Sequence, residues 1–344
     1  MRPLATSLDR PLATEVMMFD NRIASMVVAC IVVLTFCVNS SGGEEQSARA
    51  RRPDDATMEQ WLKNMVWYHR FSDDEVTAAT GLTPQEIASA RRRFKIFDEN
   101  RPTLPDAHVF VLPYPGGRHP RIGFLEGAID PQRETKISVF TPWHDPGSSQ
   151  ADYVVADVPE AIWSNLGLTY LAHTHIDTVW TRQGIELEPT EWKSLDDGRL
   201  QMHRRLPNGI EFETLVIPHS DHVRMRMSLM NGTDETLSDL RVQNCVMLKA
   251  ADGFNEQHND NNIERAPYAA RHDPSGTRWV ITAWTPNHRT WANSKCPCMH
   301  SDPKFEDCSP GETKRIEGWL SFYEGRDIDA EFDRIDALRW WESE

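Results

Sequence analysis

Three groups of residues in this chain have types and spacings that could do chemistry. The first is Cys296-Pro297-Cys298-Met299-His300, followed by Cys308, with Asp302 and Asp307 between them. Three thiols and an imidazole this close in sequence can close a tetrahedral soft-metal site, for which Zn²⁺ or Cu⁺ is the natural guest. In an oxidising compartment the same thiols would instead form disulfides. Cys245, Cys296, Cys298 and Cys308 are the four that remain once an N-terminal leader is removed, and they allow three pairings.

The second group is Leu171-Ala172-His173-Thr174-His175-Ile176-Asp177. An extended backbone has period two, which points His173, His175 and Asp177 to one face. Two imidazoles and a carboxylate there could bind a metal or serve as general acid and base; an ordinary polar strand face has the same composition. Trp180, Arg182, Glu186 and Glu188 follow and add aromatic and ionic groups suited to a hydroxyl-rich ligand.

The third group joins the polar run Asn255 to Asn262 with Trp284, Asn287, His288, Arg289 and Trp291. Amides and carboxylates match sugar hydroxyls in number and direction. A Trp face stacks on the apolar side of a pyranose, and Arg pairs bidentately with a uronate or sulfate. Solvated loops and core tryptophans are the plain alternative. The expected acid–base residues are therefore His173, His175, Asp177 and His288. The expected substrate-binding residues are Trp180, Arg182, Asn259, Asn262, Trp284, Arg289 and Trp291, and the expected metal ligands are Cys296, Cys298, His300 and Cys308. The chain has no Gly-rich phosphate loop, G-x-S-x-G elbow or H-E-x-x-H motif, which argues against nucleotide-dependent catalysis and serine hydrolysis. A formal charge of −15 repels polyanions, so nucleic acid is not an expected partner.

These groups need elements to hold them. Residues 1–43 read as a leader: Ile23 to Val38 is an uncharged apolar run after Arg22 and before a small polar stretch. The run is shorter than the roughly 20 residues a spanning helix needs, so it is expected to be a signal peptide, with an uncleaved anchor as the alternative. Delivery to the periplasm or the cell exterior follows, with membrane contact only through this segment. The repeat RPLAT at Arg2–Thr6 and Arg10–Thr14 suggests a start at Met17 or Met18. Residues 54–100 have helical spacing, with Met58, Trp61, Leu62 and Met65 on one stripe. Thr83-Pro84-Gln85-Glu86 predicts a capped helix start with Ile87, Ala90 and Phe94 on its buried face. Two short helices around Gly81-Leu82 resemble a helix-turn-helix, but export and acidity favour a structural hairpin.

After the Pro-rich link Arg101 to Pro105 the period changes to two. About ten short runs follow, among them RIGFLE at 121–126, TKISVFTPW at 135–143 and HVRMRMSLM at 222–230, separated by turns such as Asn208-Gly209 and Asn231-Gly232. Residues 104–344 are expected to form a mainly β domain, a large antiparallel supersandwich. A final helix carries Ile328, Phe332, Ile335 and Leu338 on one stripe.

The block LPNGIEFETLVIPHSDHVRMRMSLMNGTDETLSDLRVQNCVML, Leu206 to Leu248, is similar to the central repeat of galactose mutarotase-like proteins, where an exposed corner joins two long strands. The distal part, from RWVITAW to GWLSFYEG, resembles uncharacterised exported bacterial proteins. The mutarotase resemblance implies a sugar held on a sheet, with a His as acid and a carboxylate as base. Cys245 stands where that His would be, and a thiol with a pKa near 8.5 is a poor substitute for it. Carbohydrate binding or processing, by an epimerase or lyase reaction acting on a sugar or uronate, is the leading expectation. A non-catalytic cell-surface module and a metal-binding protein are the alternatives.

Overall fold

The computed structural model describes residues 50–342, apart from 105–108, 118–119, 124–132, 144–147, 149, 174–175 and 259. The leader, His175 and Asn259 therefore lie outside the described residues. Among the described residues, no helix is long and apolar enough to cross a membrane.

The alternating runs form two antiparallel sheets. One contains β1 (Val111–Pro113), β2 (Lys136–Phe140), β3 (Tyr153–Ser164), β9 (Val242–Met247), β14 (Cys298–Pro303) and β13 (Asn287–Ala292), in that order, with β4 (Gly167–Leu171) paired to β3. The other runs β10 (Asn262–Arg265), β11 (Tyr268–His272), β12 (Arg278–Thr285), β15 (Thr313–Glu324), β8 (His222–Met230), β7 (Glu211–Pro218), β6 (Leu200–Arg205) and β5 (Lys193–Ser194). Period two gives each strand an inner and an outer face. Val154, Ala156 and Val246 from the first sheet meet Met225, Met227, Leu229 and Leu320 from the second in the central core. In β8 the alternation is strict: Val223, Met225, Met227 and Leu229 are buried, and the residues between them are half-buried.

The corner at Asn231-Gly232 has a physical cause. The buried Asn231 side chain donates to the carbonyls of Glu235 and Cys308 and accepts from the Thr233 amide, which closes the turn. A Cβ on Gly232 would come within 2.1 Å of the Gly209 carbonyl oxygen, so two tight turns pack backbone to backbone.

Each sheet has its outer face covered by helix. On the seven-stranded sheet the cover is α1 (Met58–Lys63), a π-helical turn (Asn64–Tyr68), α2 (Asp73–Thr80) and α3 (Pro84–Phe94). Ser72 with Glu75, and Thr83 with Glu86, form capping boxes at the starts of α2 and α3. Leu62, Met65, Val76 and Ile87 pack on Phe140, Tyr153, Val155 and Met247, so the hairpin's apolar side is part of the core. On the eight-stranded sheet α4 (Ile328–Ala337) lays Ile328, Phe332 and Ile335 against Tyr268, Ile281 and Trp319.

Three expectations need correction. Leu338 is 52% exposed, and Trp340 takes its place in the core, because the helix ends at Ala337 and the chain turns. Arg121 and Ile122, the start of the expected RIGFLE strand, belong to the 3-10 turn Pro120–Ile122. Trp284 is an inner-core residue 1% exposed, not a sugar platform; a Cβ at Gly318 would collide with its ring at 2.6 Å, so the glycine makes the space it fills.

Candidate functional site

The outer face of the seven-stranded sheet carries a row of ionisable residues next to its helical cover. Register places them. Lys136 lies opposite Asp157, and Asp157 opposite Cys245. Cys298 pairs with Met247 and Met299 with Val246, so the next step of the same register brings His300 beside Cys245. Trp291 lies opposite His300, and Arg289 opposite Asp302. Between Asp157 and Ala161 the pairing of β3 with β9 slips, and this irregularity carries Glu160; bulges commonly re-aim a side chain in this way.

The contacts divide the row into two linked clusters. In the first, Lys136 Nζ is 2.9 Å from Asp157 Oδ2, both side chains fully buried. His173, just after β4, brings Nε2 to 3.2 Å from Glu160 Oε1 and 3.9 Å from Asp157 Oδ2. Gln243 Nε2 donates to Glu160 Oε2 at 2.7 Å. Burial by itself would raise the Glu160 pKa, but contact with His173 and the nearby His300 outweigh it and hold the carboxyl down at about 2. Glu160 is thus an anion at neutral pH.

In the second cluster Cys298 Sγ lies 3.4 Å from Cys296 Sγ and 3.5 Å from His300 Nε2. The ligand atoms of Cys245, Cys298 and His300 all lie within 4.8 Å of one another, and all three residues are buried. The Trp291 ring stacks on His300 at 3.8 Å. Asp302 accepts from Trp291 Nε1 and Arg289 Nε, each at 2.7 Å, and from the Asn244 amide at 3.1 Å; its Oδ1 is 3.8 Å from His300 Nδ1. Burial works to lower the His300 pKa, yet Asp302 and Cys298 raise it to about 10. Contact with Cys245, then burial, pushes the Cys298 thiol up to about 11. For Cys245, contact with Cys298 lowers the pKa, but burial and the Glu160 carboxylate overcome it and give about 12.

A cleft of about 480 Å³ opens beside the first cluster. Its walls include Tyr170, His173, Trp180 and Ile185, with Glu134 and Arg204 as a charged pair. Tyr170 Oη donates to Glu134 Oε1 at 2.6 Å, and Arg204 Nη2 donates to the Glu188 carbonyl at 2.9 Å. Apolar surface with a few convergent polar groups is the usual composition of a small-molecule site.

The expected site residues are therefore scattered. His173 and Trp180 share the cleft, whereas Asp177 and Arg182 are exposed and absent from its described lining. Arg289 and Trp291 belong to the cysteine–histidine cluster, His288 is exposed beside them, and Asn262 stands on the second sheet at the start of β10. Cys308 does not join Cys296, Cys298 and His300: it bridges to Leu237 and its thiol donates to the Glu312 carbonyl. Cys245 takes its place. All four described cysteines are free thiols, so no disulfide closes this loop. Sequence reasoning missed Lys136, Asp157, Glu160, Glu134 and Arg204; the available signal was charge inside otherwise apolar strand runs, which is costly unless it is paired.

No protein-family model and no curated protein matches the sequence. Solved structures overlap it in part. They include a "Putative aldose 1-epimerase" from Escherichia coli K12, 12% identical over 56% of this chain and 97% of that one, with a TM-score of 0.33. Another is the Slr1438 protein from Synechocystis sp. PCC 6803, 12% identical over 55% of this chain and 88% of that one, TM-score 0.32. The heparan sulfate lyase HepC from Pedobacter heparinus is 9% identical over 81% of this chain and 44% of that one, TM-score 0.29. These are partial likenesses of backbone, so the chemistry of this chain has to be read from its own side chains.

Proposed function

We propose that this protein handles carbohydrate, taking a sugar or uronate into the cleft beside His173 and moving a proton through the His173–Glu160 pair. The observation that supports it is the 3.2 Å contact of His173 Nε2 with the anionic Glu160 at the wall of an aromatic-lined cleft. Trp180 at the cleft wall offers an apolar ring on which a pyranose stacks. The Glu134–Arg204 pair supplies oriented polar groups, and Arg204 favours an acidic sugar. An imidazole held by a carboxylate can exchange a proton with a sugar carbon or oxygen, as epimerisation and lyase-type elimination both require. The apolar run Ile23 to Val38 supports delivery outside the cytosol, where such ligands are met.

Calorimetric titration against neutral hexoses, uronates and sulfated disaccharides tests this reading. Binding of at least one class is expected, weakened more than tenfold by Trp180→Ala, with turnover but not binding lost in His173→Gln. No ligand at millimolar concentration would defeat it.

A further inference from the structure

We propose that Cys245, Cys296, Cys298 and His300 form a closed zinc site that fastens β14 and the turn before it to β9. The site is separate from the proposed sugar cleft and does not depend on it.

The first argument is geometric. Zinc bonded to sulfur at about 2.3 Å and to nitrogen at about 2.0–2.1 Å in a tetrahedron needs S···S edges of about 3.8 Å and S···N edges of about 3.5 Å. The Cys298 Sγ to His300 Nε2 distance is 3.5 Å, and Cys296 Sγ to Cys298 Sγ is 3.4 Å. Cys245 Sγ lies within 4.8 Å of both the Cys298 and His300 ligand atoms. Cys296 Sγ touches Cys298 Sγ from outside the group of three, and rotation of its half-buried side chain would make it the fourth corner. The donors come from two neighbouring strands and one turn, so the sheet brings Cys245, distant in sequence, to the other three.

The second argument is what surrounds the donors. With Nε2 on the metal, His300 Nδ1 carries its proton toward Asp302 Oδ1, now 3.8 Å away. Among the described residues Nδ1 has no hydrogen-bond partner, and carboxylate–histidine–zinc chains use this arrangement to fix the ring. Arg289 and Trp291 hold Asp302 in turn, and Trp291 covers the imidazole. Three thiolates and one Zn²⁺ leave a net charge of −1. A fully buried guanidinium stands ready to balance it. Arg271 donates Nη2 to the Glu256 carbonyl, but its Nε and Nη1 have no hydrogen-bond partner among the described residues. Burial lowers its pKa, and Cys298 and then Cys296 are the first groups to oppose that. An isolated buried cation is costly, and a thiolate cluster is the chemistry that compensates it.

The third argument is the donor set. Three sulfurs and one nitrogen leave no open position, which is typical of structural rather than catalytic zinc, and soft donors exclude Ca²⁺ and Mg²⁺.

The test uses the full protein purified without chelators. Elemental analysis is expected to return one zinc per chain. Cobalt exchanged into the site should give the sulfur-to-cobalt charge-transfer band and the intense visible bands of a tetrahedral ion. Cys308→Ala should keep both signals, because Cys308 lies outside the site. Cys296→Ser, which alters the half-buried ligand and leaves the strands intact, should weaken the charge-transfer band and raise the zinc dissociation constant at least tenfold. If Cys298→Ser fails to fold, the Cys296 variant still decides. The proposal is overturned by reduced protein that takes up no zinc, by a disulfide mapped between any two of Cys245, Cys296 and Cys298, or by zinc retained unchanged in Cys296→Ser.

Discussion

The outer face of the seven-stranded sheet holds two buried histidines that behave in opposite ways. His69 sits under the helical cover, with Nδ1 at 3.0 Å from the Asn64 carbonyl and Nε2 at 2.6 Å from Ser138 Oγ. The rings of Phe71, Tyr114, Phe140 and Tyr153 stand edge-on around it. Burial drives its pKa down to about 3, so it is neutral. His300 is buried as deeply on the same face, yet Asp302 and Cys298 raise it to about 10. Both have lost water; only His300 has gained anions. Burial alone therefore does not set the charge of a histidine here. The partners two residues before and after it on β14, Cys298 and Asp302, decide it.

The largest expected effect comes from removing one of those partners. Asp302→Ala leaves His300 Nδ1 and the Trp291 and Asn244 donors without their carboxylate, and should cost about 3–5 kcal/mol in denaturant unfolding. A loss under about 1 kcal/mol would mean that these donors find another acceptor. Next is Glu160. Its folded pKa of about 2 is depressed from an ordinary 4.5, so its contribution is present above pH 4.5 and lost as the pH falls toward 2. Glu160→Gln should flatten the fall of Tm across that window, a contribution of about 3 kcal/mol. A wild-type profile already flat there would contradict the assignment.

His69→Phe keeps the aromatic packing, and the Asn64 carbonyl keeps the backbone N–H of residue 69, but Ser138 Oγ loses its partner, about 1–3 kcal/mol at pH 7. Because the folded pKa lies below the unfolded 6.5, stability falls as the pH drops from 6.5 toward 3 in the wild type. That component should vanish in the variant, as differential scanning calorimetry at stepped pH would show. The smallest effect is expected from Arg289→Ala. Its side chain is 51% exposed, so the ion pair with Asp302 should contribute under about 1 kcal/mol. A larger loss would place Arg289 in the buried half of the comparison.

Much of the frame was legible. Thr83, Pro84 and Glu86 announce the start of α3, and they do so because a cap is satisfied within four residues. The alternation of Val223, Met225, Met227 and Leu229 gives β8 its two faces for the same local reason. The motif Cys298-Met299-His300 already puts a thiol and an imidazole on one side of a strand. Cys308, close in sequence and rich in promise as a ligand, belongs elsewhere, while Cys245 is more than fifty positions away and belongs here. Leu338 shows the same limit at the other end of the chain: its spacing is right, but the helix stops before reaching it.

The amino-acid sequence by itself determined which faces are apolar, where the helices start and that the chain must close as two sheets, because each of these follows from period and capping among near neighbours. Which thiols meet and which Trp is core were decided only by the tertiary structure. Those outcomes depend on strand order, on a two-residue slip in β3 and on glycines such as Gly318 that open space for a ring. Cross-strand register connects residues without regard to their separation along the chain, and no local pattern records it.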